Sequence, residues 1–244
     1  MSRLIFAIPS KGRLKEQMED WLAARGVRLV QDGGARGYAA RLDIAPQVEV
    51  RLASASEIAH GLIAGDVHLG VTGEDLLREY AADLETRVVL AAGLGFGRAD
   101  LVVAAPERWV DVTTLADLAE VAADWRARTG LRLRVATKFV RLVSAFLTDA
   151  GVADFRIVES LSATEGAPAA GMAEIVADIT TTGSTLRDNH LKILADGVVV
   201  RSQATLAVSR GADWSATARA DADALGAALG LGALSPVQVV SREY

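Results

Sequence analysis

A chain of 244 residues with 51% hydrophobic content is long enough to bury a sizeable core, as one large domain or two small ones. It holds no cysteine, which excludes disulfides, iron–sulfur clusters and a cysteine nucleophile. Its formal charge of -5, from 26 Lys plus Arg against 31 Asp plus Glu, lacks the general positive field of a nucleic-acid binder, so an anionic ligand must be held by local positive charge. The apolar run after Met1 is too short for a signal peptide and no stretch reaches bilayer length. The expectation is a cytoplasmic protein with no nucleic-acid and no membrane partner.

In chain order, Leu4 to Ile8 reads as a buried strand, then Pro9-Ser10-Lys11-Gly12-Arg13, then a helix from Leu14 to Arg25 stopped by Gly26. Val48 to Ala53 is a strand, Glu57 to Ala64 a helix closed by Gly65, and Val67 to Val71 a strand delivering Thr72-Gly73-Glu74-Asp75. A helix from Leu76 to Ala81, a strand from Val88 to Ala92 and a glycine-rich bend at Gly93 to Gly97 follow. The pattern then repeats without repeating its sequence: strand Leu101 to Ala105, helix Leu115 to Arg128, strand Leu133 to Ala136, helix Val140 to Ala150, strand Phe155 to Val158. Gly197 to Ser209 is strand-rich and supplies a return crossing, followed by a helix from Ala216 to Leu229 and an apolar piece at Val237 to Val240. Strands alternating with helices predict an α/β fold of mostly parallel sheets, in two lobes with a ligand cleft between them.

The richest segment is Asp178-Ile179-Thr180-Thr181-Thr182-Gly183-Ser184-Thr185-Leu186, after the apolar Ile175-Val176-Ala177. It reads as a carboxylate at a strand end and a hydroxyl-rich turn opening a helix. Free backbone N–H groups beside hydroxyls hold a phosphate without a bulky cation, and the upstream acid suits sugar hydroxyls or a bound cation. Ordinary capping is the plainer alternative. Lys11 and Arg13 are cations at the first strand's end, fit to clamp a polyphosphate or equally to lie in solvent. Thr72, Gly73, Glu74 and Asp75 form a third strand-end loop, where Gly73 permits close approach or a left-handed turn and Asp75 caps the next helix. Glu165-Gly166-Ala167-Pro168 is the fourth, an acid opposite Asp178 or a surface turn.

His60, His68 and His190 lack metal-site spacing, Ser144, Ser160 and Ser162 lack a nucleophile elbow, and Lys11-Gly12-Arg13 lacks the glycine spacing of a P-loop. No protein-held metal site is expected.

Taken together, Pro9 to Leu14, Leu69 to Asp75, Arg134 to Phe139, Glu165 to Pro168, Gly171 to Asp178, Thr181 to Leu186 and Asn189 closely resemble the ATP phosphoribosyltransferase family. The resemblance implies a two-lobed, periplasmic-binding-protein-like fold, with lobe I at 1–94 completed by 206–244 and lobe II at 95–205. It implies a magnesium-dependent transfer from 5-phosphoribosyl 1-pyrophosphate to N1 of ATP, the first step of histidine biosynthesis, with Mg²⁺ carried mainly by substrate phosphates. In that pattern Thr181, Thr182, Gly183, Ser184 and Thr185 hold the ribose 5-phosphate, and Glu165 and Asp178 engage the ribose hydroxyls. Lys11 and Arg13 face ATP or pyrophosphate, and Thr72, Gly73 and Asp75 close the other side.

Two features depart from the family pattern. His68 stands where an acid is common, and only Gly211 to Tyr244 follow the catalytic core, too little for a C-terminal regulatory domain. The resemblance therefore implies a short form that self-associates and works in a hetero-oligomer with a histidyl-tRNA-synthetase-like regulatory subunit. The competing readings are a phosphoribosyltransferase with another base acceptor and a non-enzymatic two-lobed ligand-binding protein.

Overall fold

The computed structural model describes residues 3–31, 39–160 and 163–236. The predicted apolar piece at Val237 to Val240 and Ser162 lie outside them. The chain divides into two compact units, Met1–Gly97 with Gln203–Tyr244, and Arg98–Ser202. These divisions fall at 97/98 and 202/203 rather than at 94/95 and 205/206. The backbone explains the difference: Leu94 N–H donates to Ala204 O at 2.9 Å, and Ala204 N–H to Phe96 O at 3.0 Å, which ties 94–96 to the re-entering strand.

The first unit runs β1 (Ile5–Pro9), α1 (Gly12–Ala23), β2 (Leu29–Gln31), β3 (Ala39–Leu42), β4 (Ala45–Ala53), α2 (Ala55–Ala64), β5 (Leu69–Gly73), α3 (Glu74–Tyr80), α4 (Leu84–Arg87) and β6 (Val88–Gly93). The second holds β7 (Ala99–Pro106), α5 (Leu115–Thr129), β8 (Leu133–Thr137), α6 (Val140–Asp149), β9 (Phe155–Glu159), β10 (Ile175–Thr180), α7 (Ser184–Asp188) and β11 (Leu191–Ser202), before β12 (Ala204–Ser209) and α8 (Ala216–Ala228) complete the first.

Strand order is β2-β3-β4-β1-β5-β12-β6 in the first unit and β11-β7-β10-β8-β9 in the second. The expectation of mostly parallel sheets is corrected here. Only β4-β1-β5 and β10-β8-β9 are parallel, and every other described pairing is antiparallel. Helical crossovers return the chain in the same direction, which makes the parallel runs. β12 arrives from the other unit and runs against β5 and β6, while β7 runs against both of its neighbours, β10 and β11. β2 and β3 form an antiparallel meander with β4 in a region whose short apolar pieces show no clean period.

Both faces of β1 are buried, as a central strand requires: Phe6 and Ile8 pack with Met18, Leu22 and Val50, while Ala7 packs on the other side with Ile58, Leu62 and Leu77. In the second unit Val102, Ala104, Ala136, Val176 and Leu186 form a core under β10. No helix among the described residues is long and apolar enough to cross a membrane.

His68 is buried, and its ring is an internal tie. Ile5 N–H donates to Nδ1 at 3.2 Å, and Nε2 lies 3.0 Å from Asp213 O, an acceptor, which places the proton on Nε2. The edge of Trp214 completes the pocket at 4.9 Å between centroids. The departure at this position is thus absorbed by packing.

At the start of α5, Thr114 accepts from Asp117 N–H while Asp117 Oδ2 accepts from Thr113 N–H, Thr114 N–H and the Thr113 hydroxyl. Those bonds, led by Thr113 N–H, lower the Asp117 carboxyl from 3.8 to about 2. A depressed acid stabilises the fold above its unfolded pKa and loses that contribution as pH falls through the folded value. Asp117→Asn should therefore melt lower than the native chain at pH 7, with the gap closing between pH 3.8 and about 2; a gap that does not depend on pH in calorimetry contradicts this.

Candidate functional site

In the second unit, β10 passes from the buried Ile175, Val176 and Ala177 to the half-buried Asp178 and Thr180. Asp178 pairs with Val102 inside the strand, not at its end as the sequence reading placed it, so the strand itself fixes its backbone. The neighbouring strand β8 pairs Ala136 with Val176, which carries Lys138, two residues on, toward the level of Asp178. At the opposite ends of these two strands Arg134 grips Glu174: Nη2 to Oε1 is 2.6 Å and Arg134 N–H to Oε2 is 2.7 Å. Burial pushes the Glu174 carboxyl up, but the Arg134 bonds outweigh it and leave it lowered. This pair clamps β8 and β10 at the end remote from Asp178.

Burial raises the Asp178 carboxyl above its ordinary value. Ile179 N–H, at 2.9 Å from Oδ1, and Lys138 oppose that rise, while the charge of Glu165 adds to it. Two acids and one cation therefore share a field on this unit. Glu165 sits half-buried in a 3-10 turn, Thr164–Gly166, entered through Ala163 in the left-handed region at φ 51°. A non-glycine residue there is uncommon and concentrates at sites where surrounding structure enforces it.

The hydroxyl loop is internally braced. Gly183 N–H donates to Thr180 Oγ1 at 2.7 Å, and Thr182 Oγ1 lies 3.0 Å from Ser184 Oγ and accepts from Ser184 N–H at 3.3 Å. Thr181 donates to Arg98 O at 3.4 Å. Leu186 is buried and anchors α7, while the Asn189 amide donates to Thr185 O at 2.9 Å and closes its end. Thr181, Thr182, Ser184 and Thr185 remain exposed. Gly183 has φ 73°, and an added Cβ would lie 2.9 Å from Arg187 Nη1 and 3.4 Å from Ile193 Cδ1. Lys138 and Arg187 are thus cations that the sequence reading did not assign. For Arg187 the available signal was its position four residues after Gly183 on a helix.

In the first unit, Lys11 and Arg13 are exposed, Lys11 being the N-cap of α1. Lys11 lies close enough to Glu57 to help lower its carboxyl, a shift led by the Ser54 hydroxyl. Ser54 and Glu57 form the capping box of α2, a spacing readable in the sequence as Ser-x-x-Glu. Thr72 is buried and its hydroxyl donates to Ala55 O at 2.8 Å, so it aligns α2. Gly73 has φ -72° and ψ 138°, which excludes the left-handed turn, one of the two roles expected for it. Gly73 is itself the N-cap of α3, and Asp75 is buried within its first turn. The structure thus gathers Lys11, Thr72 and Asp75 at one edge of the parallel core β4-β1-β5. It gathers Asp178, Glu165, Lys138 and the loop 181–185 on the other unit.

Residues 54–227 match the family model described as "HisG: ATP phosphoribosyltransferase". A curated ATP phosphoribosyltransferase of Caulobacter vibrioides is 63% identical over 212 residues, 87% of this chain and 66% of that protein. One of Bradyrhizobium diazoefficiens is 55% identical over 215 residues, 88% of this chain and 66% of that protein. The chain therefore spans just under two thirds of these relatives' length. Among solved structures, the "ATP phosphoribosyl transferase (HisG:HisZ) complex from Thermotoga maritima" aligns with TM-score 0.61 at 24% identity, over 85% of this chain and 88% of that one. A probable amino-acid ABC transporter extracellular-binding protein of Bacillus subtilis aligns with TM-score 0.52 at 10% identity, over 93% of this chain and 88% of that one. These two likenesses concern the fold.

Proposed function

Because the chain belongs to the ATP phosphoribosyltransferase family, we propose that it transfers the phosphoribosyl group of 5-phosphoribosyl 1-pyrophosphate to N1 of the ATP adenine, the first step of histidine biosynthesis, in the cytoplasm. The C–O bond between the anomeric carbon and pyrophosphate breaks as the N1–C bond forms, and the products are N1-(5-phospho-β-D-ribosyl)-ATP and pyrophosphate. The observation that carries this reading is the placement of two half-buried acids, Asp178 and Glu165, on the unit that presents the hydroxyl loop. Two acids on the same unit as a loop of exposed hydroxyls suit a phosphorylated sugar, since carboxylates accept from ring hydroxyls and hydroxyls donate to phosphate.

The chain's own residues then orient the reactants. Thr182, Ser184 and Thr185 hold the 5-phosphate, and Asp178 and Glu165 fix the ring as positive charge grows at the anomeric carbon. Lys11 and Arg13 serve as cations for ATP or the leaving pyrophosphate. No group of three or more His, Cys, Asp or Glu among the described residues forms a metal cage. Asp178 and Glu165 are oxygen donors of the kind Mg²⁺ takes, and a Mg²⁺ carried chiefly by substrate phosphates would neutralise the leaving group's charge.

A histidyl-tRNA-synthetase-like subunit is proposed as partner, with self-association, supported by the likeness to the HisG:HisZ complex. Pyrophosphate release is to be measured with ATP, phosphoribosyl pyrophosphate and Mg²⁺, with and without such a subunit. Release dependent on both substrates and stimulated by the subunit is expected. Release with a free nucleobase and none with ATP overturns the acceptor, and full histidine-inhibited activity of the chain alone overturns the partner.

A further inference from the structure

The hydroxyl loop offers neutral donors, yet a dianionic sugar phosphate placed near Asp178 and Glu165 meets two acids on a chain of net charge -5. Neutral donors alone leave that repulsion standing. A cation touches the loop at Arg187: its Nη1 lies 2.9 Å from the point where a Cβ on Gly183 would project. One end of the guanidinium therefore occupies the space that the missing side chain leaves. The backbone sets this arrangement, since Arg187 N–H donates to Gly183 O at 3.0 Å and one helical turn stacks the two residues. Ile193 Cδ1 lies 3.4 Å from the same point.

Two facts about hydrogen bonding sharpen the case. Gly183 N–H is already given to Thr180 Oγ1 at 2.7 Å, so Gly183 contributes room for the cation and no donor of its own. Arg187 has no side-chain hydrogen bond or ion pair with any described residue. Its planar fork is exposed and without a partner among the described residues, on the same short helix as Ser184 and Thr185.

We infer that Arg187 binds the substrate's 5-phosphate through this fork, from the space that Gly183 leaves open. The inference rests on the phosphoribosyl reading of the site and adds the residue that supplies its positive charge. A guanidinium matches two phosphate oxygens at once, which an ammonium does not.

Titration calorimetry on the full chain tests this with three probes: phosphoribosyl pyrophosphate, ribose 5-phosphate and pyrophosphate. For Arg187→Met, the Kd for the first two should rise about 10- to 100-fold, the range for losing a hydrogen bond to a charged group. Pyrophosphate binding should not change, and Arg187→Lys should recover part of the loss. Equal weakening of pyrophosphate places Arg187 at the other end of the substrate, and unchanged ribose 5-phosphate binding by folded Arg187→Met removes it from the site; either result overturns the inference. Should Arg187→Met fail to fold, Arg187→Lys decides: binding equal to the native chain's excludes the fork. If the native chain binds neither sugar phosphate, the phosphoribosyl reading itself fails, a result separate from any effect of the variants.

Discussion

Asp178→Ala should lower kcat/KM for phosphoribosyl pyrophosphate by about 100-fold, ~3 kcal/mol, the order expected when hydrogen bonds to a charged acceptor are lost in the transition state. The loss should spare the fold, since the Asp178 backbone is held by its pairing with Val102 and the underlying core of Val102, Ala136 and Val176 does not include its side chain. Stability should move the other way. Burial raises the Asp178 carboxyl, so the folded chain binds that proton more tightly than the unfolded one. As pH rises from 3.8 through the raised value, ionising Asp178 costs stability. The isosteric Asp178→Asn should therefore melt higher than the native chain at pH 7, with the gap vanishing below pH 3.8. A variant that is slow but no more heat-resistant would show that the acid is not held against its solvation preference. A variant with unchanged kcat/KM would remove Asp178 from the site.

Gly183→Val should weaken phosphoribosyl pyrophosphate about 100-fold, from two causes that add. At φ 73° a β-branched residue is a steric outlier, and forcing an L side chain into this region costs about 1–2 kcal/mol. Its Cβ also meets Arg187 Nη1 at 2.9 Å and must push the guanidinium aside. Gly183→Ala shares the second effect and most of the first, so it should weaken binding by about 10-fold. Calorimetric titration separates this from general unfolding, because ATP binding should stay within about twofold of the native value. Unaltered affinity for phosphoribosyl pyrophosphate in Gly183→Val contradicts the loop assignment.

The elements that lie over continuous or periodic apolar runs were legible in the sequence. β1, β5 and β8 are buried runs, and α2 carries its own stop at Gly65, whose φ of 89° few other residues adopt. Strand direction was not legible. β12 reads like any buried strand in sequence, and only its return from the other unit makes it antiparallel to β5. Burial and direction are independent properties, and periodicity reports the first alone.

At the site, the hydroxyl loop and its two acids stood out because polar residues interrupt an apolar strand, a conflict that sequence displays directly. Thr72 shows the converse. It has the same composition at a strand end, yet its hydroxyl goes to Ala55 O, a residue seventeen positions earlier that only the fold brings near. Arg187 and Lys138 were missed for a related reason. Surface cations are common, and what distinguishes these two is a neighbour: Gly183 one helical turn back for Arg187, and Asp178 on the adjoining strand for Lys138.

The most direct test is a crystal structure of the full chain with phosphoribosyl pyrophosphate bound. The 5-phosphate should lie against Thr182, Ser184 and Thr185 with Arg187 across two of its oxygens, and the ring hydroxyls should lie within hydrogen-bond reach of Asp178 and Glu165. A sugar bound with its phosphate away from residues 181–185 and its hydroxyls away from both acids would contradict the assignment.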